Sequence, residues 1–331
     1  MKSGNTALIT AIALAIALSW GGSCMISMPG KSFRGTEPPY TAGEEESRRR
    51  LQKHVFVLAG EIGERNVFRP AALDRARSYI RETFASFGYR VEEQTYEARG
   101  RESANLIVEI KGQDRPEEIV IVGGHYDSVM GTAGANDNAS GAAATLELAR
   151  LFQGYAPART LRFIAFVNEE PPFFQTESMG SMVYARRSRK RKEKIVAMLA
   201  LETMGYYSQT PGSQKYPPPL SAFYPDTGNF IGFVGNFASR SLVRRTVREF
   251  RANASFPSEG AALPGSIPGV GWSDHWSFWQ VGYPALMVTD TAPFRYPHYH
   301  EAEDTPDKID YKRFARVVRG LVPVIKALAG Q

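Results

Sequence analysis

The sequence predicts a single α/β domain with a mostly parallel central sheet and helices on both faces. Short, nearly continuous apolar runs such as 119–123 and 161–167 alternate with segments of helical spacing. That is the pattern of strands buried on both sides. No internal repeat and no linker breaks the chain after residue 50. Residues able to carry chemistry gather just after the apolar runs, at the carboxyl ends of strands, where open α/β sheets bind ligands. The chain of 331 residues is 43% hydrophobic and 22% charged, which excludes a disordered or collagen-like protein.

The elements follow in order. Leu51, Val55, Leu58 and Ile62 repeat at helical spacing, as do Leu73, Ala76, Ile80, Phe84 and Phe87. Gly88 closes the second helix. Strands are expected at 91–98, 104–110 and 119–123, then a helix over 139–153 with Leu148, Leu151 and Phe152 on one face. A strand at 161–167, a helix near 178–192 and a strand at 195–201 come next. Pro211, Pro217, Pro218, Pro219 and Pro225 exclude regular structure from 205 to 228. A strand at 230–234, a helix over 238–252, a strand at 284–289 and a helix over 312–328 end the series. The last helix places Phe314, Val317, Val318, Leu321, Ile325 and Leu328 on one stripe.

The amino terminus reads as an address. Residues 7–20 are almost wholly apolar and follow Lys2, a run too short to cross a bilayer and suited to a signal-peptide core. Gly21, Gly22 and Ser23 precede Cys24, the sole cysteine, a partial match to a bacterial lipoprotein site. Lipidation at Cys24, plain cleavage and an uncleaved anchor all place the domain outside the cytoplasm, in the periplasm or tethered to a membrane. Residues 1–24 are thus expected as signal, 25–45 as a Pro-, Gly- and Glu-rich tether, and 46–331 as the domain. One cysteine permits no internal disulfide and no thiolate metal set. The net charge of +6 resides wholly in residues 186–194, seven basic side chains and one acidic. That is the pattern of a solvated helix end rather than a nucleic-acid surface.

Five groups of metal-ligand residues stand at successive strand ends: His125 with Asp127, Asp137, Glu169 with Glu170, Glu202, and the stretch 296–305 containing His300. Carboxylates brought this close repel unless a cation neutralises them. Imidazole and carboxylate donors without sulfur suit Zn²⁺ and, less well, Mn²⁺ or Co²⁺.

His125-Tyr126-Asp127-Ser128, then Asn136-Asp137-Asn138-Ala139-Ser140-Gly141, Asn168-Glu169-Glu170, Ser273-Asp274-His275, and Tyr299-His300 with Asp304-Thr305-Pro306-Asp307 occur in this order. In these motifs the chain resembles the M28 family of zinc peptidases, mainly aminopeptidases with two zinc ions. The resemblance implies a zinc exopeptidase-like fold, two zinc ions per chain and peptide substrates with a free amino terminus. It makes His125 and His300 ligands of different ions, with Asp137 bridging them. Glu170 would join His300, Glu202 would join His125, and Glu169 would be the general base. Asp127, two residues beyond His125 in an extended segment, would orient the imidazole.

Two departures from the family pattern stand out. Glu202 occupies a position usually held by Asp, and Pro171-Pro172 follow the glutamate pair where the family has a shorter Gly-containing loop. That loop and the segment 205–228 are expected to shape the substrate pocket, and of the aromatics Trp272, Trp276, Phe278 and Trp279 some are expected in the core and one as a candidate for the pocket wall. A single-zinc glutaminyl cyclase on the same fold is the runner-up, and a metal-free binding ectodomain is the non-enzymatic alternative. The presence of His125 argues against the first, and the complete ligand set argues against the second.

Overall fold

A computed structural model describes residues 25–330. The expected signal segment and Cys24 lie outside the described residues. Eight strands form one sheet among the described residues: β1 (Glu92–Ala98), β2 (Arg101–Ile110), β3 (Arg115–His125), β4 (Arg159–Phe166), β5 (Lys194–Glu202), β6 (Ile231–Gly235), β7 (Ser258–Ala262) and β8 (Ala285–Thr289). Their order across the sheet is β1-β2-β4-β3-β5-β8-β6-β7. The central strands β4, β3, β5 and β8 run parallel. The hairpin β1–β2 joins antiparallel to β4, and β6 joins antiparallel to β8.

Helices α1 (Ala42–Val55), α2 (Pro70–Ser86), α3 (Gly141–Leu151), α4 (Gly180–Lys190), α5 (Arg240–Asn253), α6 (His275–Gln280) and α7 (Tyr311–Ala329) cover the two faces. Alternation along β3 separates them, as a period of two requires. Val120 and Val122 pack with Leu51, Ile80, Leu146, Phe250 and Phe314 of α1, α2, α3, α5 and α7. Ile119 and Ile121 point the other way, to Tyr184 of α4 and Phe278 of α6. Local chemistry sets the helix starts. Thr41 accepts from the Glu44 N–H while the Glu44 carboxylate accepts from the Thr41 N–H, a capping box. Pro70 stands in the first turn of α2, where a missing N–H costs nothing.

The expected elements are present with ends shifted by a few residues. Two others were not expected: β7, whose Ser-Glu-Gly-Ala-Ala sequence has no apolar run, and the single short helix α6. The first expected helix is α1 continued by a wider π-type turn at Phe56–Ile62. The proline-rich segment 205–228 is irregular apart from one turn at Leu220–Ala222. It is folded back on itself by Ser208 N–H to Gly228 O and Gln214 N–H to Asp226 O, both 2.8 Å. Residues 25–41, read from the sequence as part of a tether, lie against the body. Arg251 donates to the Gly30 carbonyl at 3.0 Å, Ser258 N–H to Ser32 Oγ at 2.9 Å and Arg316 to Glu37 at 2.9 Å. No described helix is long and apolar enough to cross a membrane.

Candidate metal centre

Every sequence-predicted site residue arrives at one place, the carboxyl edge of the parallel strands. His125 is the last residue of β3 and Glu202 the last of β5. Glu169 and Glu170 follow β4, and Asp137 lies in the kinked segment Ala135–Ser140 that leads into α3. His300 comes from the loop between β8 and α7. Gly124, beside His125, permits close passage of β5, since a Cβ there would meet the Leu201 carbonyl at 2.5 Å. Asn168, Thr203 and His300 adopt positive φ of 58°, 46° and 60°. Such backbone costs about 1–3 kcal/mol per non-glycine residue and clusters at functional sites.

Asp137 is central. One oxygen lies 3.3 Å from His125 Nε2 and the other 3.1 Å from His300 Nε2. Glu202 Oε2 is 3.3 Å from His125 Nε2, and Glu170 Oε2 is 3.6 Å from His300 Nε2. Donor atoms thus form two neighbouring sets that share Asp137: His125, Asp137 and Glu202, and Asp137, Glu170 and His300. A third grouping of His125, Glu169 and Glu170 overlaps both. Glu169 Oε2 stands 3.7 Å from His125 Nε2. All of these side chains are buried except His300, whose side chain is 35% exposed at the mouth.

The electrostatics are those of an acid cluster out of water. Burial raises the Glu169 carboxyl well above the usual range. His125 pulls it back, and the charges of Glu202, Asp274 and Asp137 push it further up. Burial, Asp137 and Glu169 raise Glu170 in the same way. Burial brings Glu202 up to about 7 against the pull of His125. Burial also pushes Asp137 upward, yet its contacts with both imidazoles outweigh that and hold it below the usual carboxylate range. Conversely, burial pushes His125 down, but Glu202 and Glu169 leave it well above the ordinary imidazole value. Glu169, Glu170 and Glu202 would rather be neutral unless a cation faces them.

The donor set fits a divalent metal. His125 Nε2, Asp137 Oδ1 and Glu170 Oε1 are buried and make no hydrogen bond among the described residues, although burial without a partner is costly. They point into the shared space, and two imidazoles with three carboxylates match zinc chemistry.

Further groups hold this set in place. Asp127 Oδ1 and Oδ2 accept the backbone N–H of Glu169 and Glu170 at 3.2 and 3.1 Å. Its main-chain carbonyl, at 3.2 Å, is the hydrogen-bond partner of His125 Nδ1, with its carboxylate at 3.5 Å. Asp127 thus meets the imidazole through its main-chain carbonyl and ties down the backbone of the glutamate pair through its carboxylate. Ser273 Oγ donates to Glu202 Oε2 at 2.8 Å, and Asn138 Oδ1 accepts from Gly141 and Thr203 N–H at 2.9 and 3.1 Å. Asp304 accepts from the N–H groups of Asn136 and Asp137 at 2.8 and 3.0 Å. Ser273, Asn138 and Asp304 stand within the quoted motifs, yet their roles depend on which backbone passes by. Arg65 had no sequence signal.

A cavity of about 790 Å³, open mouth included, begins at Glu202 and Tyr299 and runs under the segment 205–228. Tyr216, Leu220, Tyr224, Phe230, Trp272 and Phe294 are among its walls. Its hydroxyls and amides bond mostly to protein: Tyr216 to the Pro225 carbonyl, Tyr224 to the Gly260 carbonyl, and Thr291 to Gln214. The surface left for a ligand is mostly apolar, with Glu202 and Glu259 also among its lining. The expected pocket-shaping role therefore falls to 205–228 and, of the four tryptophan-region aromatics, to Trp272.

Imidazoles and carboxylates converging at the strand ends of such a sheet form a site for divalent metal. The chain belongs to the M28 peptidases: residues 105–325 match the profile of Peptidase family M28. It is 38% identical to the uncharacterized protein YfbL of Escherichia coli K12 over 84% of this chain and 88% of that one. A probable zinc metalloprotease of Pyricularia oryzae is 27% identical over 65% of this chain, which spans 48% of that longer protein. Among solved structures, BSAP, a zinc aminopeptidase from Bacillus subtilis, superposes with a TM-score of 0.68 at 16% identity, covering 88% of this chain and 96% of that one. A glutaminyl cyclase from Fimbriiglobus ruber superposes at 0.63 and 23% identity, covering 91% and 99%. Both structural likenesses concern the fold.

Proposed function

We propose that this peptidase is a zinc-dependent aminopeptidase with two zinc ions per chain. The observation that carries the reading is Asp137, whose two carboxylate oxygens face two different imidazoles, each backed by its own glutamate. His125, Asp137 and Glu202 would hold one ion and Asp137, Glu170 and His300 the other. Zinc held there would supply Lewis acidity toward a water and the scissile carbonyl. Glu169, held by its own backbone to Asp127, accepts the proton of the attacking water at Oε2 and delivers it to the leaving amine. Asp127 keeps the His125 ring and the Glu169–Glu170 pair in fixed relation throughout. The buried carboxylates favour a cationic α-amine at the mouth, and the apolar cavity takes the side chain of the amino-terminal residue. The apolar run and Cys24 support export with a lipid on Cys24, which would tether the domain to a membrane.

The test is a zinc count by mass spectrometry together with hydrolysis of an aminoacyl-anilide panel. Two ions per chain and release of amino-terminal residues are the expected result. One tightly held ion, with cyclisation of amino-terminal glutamine and no anilide hydrolysis, would replace this reading with a cyclase.

A further inference from the structure

Arg65 is fully buried, and among the described residues its guanidinium hydrogen bonds all go to main-chain carbonyls. Nε donates to the Tyr126 carbonyl at 2.6 Å, and Nη2 donates to the Gly134 carbonyl at 2.8 Å. Nη1 reaches the carbonyls of Ala133 and Gly63, the latter at 3.2 Å, with Leu58 farther at 3.4 Å. The backbone of Arg65 is fastened to the same place. Its N–H donates to Ser128 Oγ at 3.2 Å, and its carbonyl accepts from Ser128 N–H at 3.0 Å. Ser128 Oγ in turn donates to the Thr132 carbonyl at 3.0 Å. One planar cation thus joins the chain just after His125 to the chain just before Asp137. Its charge is also felt by Asp127, Asp304, Asp137 and Glu170.

We infer that Arg65 is a positioning residue for metal binding: it fixes the separation between the His125–Asp127 arm and the Asp137 arm. The inference rests on the two-zinc reading of the site. The geometry explains why arginine stands here. Carbonyls of Tyr126, Ala133 and Gly134 are met by three different nitrogens of a rigid fork, which a single ammonium cannot span. A role confined to folding would not require that the clasped carbonyls belong to the two segments carrying ligands.

The test compares zinc affinity in the wild-type protein, Arg65→Lys and Ser128→Ala by competition with graded chelators, alongside thermal unfolding of zinc-free and zinc-loaded samples. Arg65→Lys keeps the charge and loses the reach. It is expected to weaken zinc binding at least tenfold and to narrow the melting-temperature gap between loaded and zinc-free protein. Excess zinc should restore most of kcat with KM little changed. Ser128→Ala cuts the same clamp more gently and should weaken zinc about threefold while folding normally. A lower melting temperature with wild-type zinc affinity in either folded variant would overturn the inference and leave Arg65 a purely structural residue. Should Arg65→Lys not fold, Ser128→Ala alone decides. Failure of the wild-type protein to bind zinc would instead overturn the reading of the site.

Discussion

Asp304 accepts the backbone N–H of Asp137 at 3.0 Å, so an acid from the loop after β8 holds the main chain of the acid at the centre of the site. The same carboxylate takes the Asn136 N–H and the Tyr296 hydroxyl, both at 2.8 Å. Leaving such buried donors unpaired costs about 1–3 kcal/mol each. Asp304→Asn replaces one acceptor oxygen by a donor that faces an N–H. It is expected to lower zinc content and the melting temperature together. Tyr296→Phe, which keeps both backbone bonds, should cost only about 1 kcal/mol and leave zinc content intact. Metal analysis beside thermal unfolding checks both, and full zinc retention by Asp304→Asn would contradict the positioning role.

Glu169→Gln keeps size and removes the proton acceptor. A general base contributes about 10²–10⁴-fold in rate, so kcat should fall by at least the lower figure. KM and zinc content should stay nearly unchanged, because the base acts mostly in the transition state. Steady-state kinetics and a metal count give the answer. Loss of zinc would exchange the roles of Glu169 and Glu170, which the overlapping donor group of His125, Glu169 and Glu170 makes a concrete alternative.

Asp137→Ala should lose both ions, since each donor set contains that residue. Glu202→Ala should lose mainly the ion beside His125. A Glu202→Ala protein that retains two ions would show that its longer side chain, where the family usually has Asp, does not ligate. Graded dialysis followed by metal counting distinguishes these results.

How much of this was legible in the sequence follows from what kind of interaction fixes each part. Strands β3, β4 and β5 announce themselves because a strand buried on both faces must be apolar along its length. His125, Asp137, Glu169, Glu170, Glu202 and His300 are legible only together, because each group alone is commonplace while five of them at successive strand ends, in the order of the M28 motifs, are not. β7 was illegible: its Ser-Glu-Gly-Ala-Ala pairs with β6 through main-chain bonds, and small residues suffice beneath α5 and the segment 25–34. Arg65 and the clamp made by Asp304 were illegible for a related reason. Their partners are main-chain carbonyls and N–H groups, which every residue has, so only the tertiary path reveals the match.

The apolar cavity makes a prediction about selectivity. Ala261 of β7 lines it and is almost buried, so Ala261→Phe places a ring inside. Discrimination by apolar contacts is worth about 1–3 kcal/mol per methylene-sized change, roughly 10–200-fold. Hydrolysis of phenylalanyl or leucyl anilides should therefore lose kcat/KM by at least tenfold, and alanyl anilide should lose little. An equal loss for all three would mean that the cavity does not receive the amino-terminal side chain.

His54 on α1 predicts part of the acid sensitivity of the fold. It is 5% exposed and held by the Tyr79 hydroxyl at 2.7 Å from Nδ1, while Nε2 has no hydrogen-bond partner among the described residues. Burial first, and then the charges of Lys53, Arg50 and Arg150, pull its pKa from 6.5 down to about 3. Between those values the unfolded chain binds a proton that the folded protein refuses. Stability is therefore fully present above about pH 6.5 and falls as pH drops toward about 3, by up to about 1.4 kcal/mol per pH unit. Glu169 and Glu170 act in the opposite direction, because their raised values favour the protonated folded state. The informative quantity is consequently the difference between wild-type protein and His54→Gln, measured zinc-free by denaturant unfolding from pH 7 to 4. Glutamine keeps an acceptor for Tyr79 and never titrates. The variant should lose less stability on acidification, with a slope smaller by close to one proton near pH 5. Parallel curves for the two proteins would show that His54 is protonated in the folded state and that acid sensitivity arises elsewhere, with the buried His275, brought down to about 4 by burial, the next residue to replace.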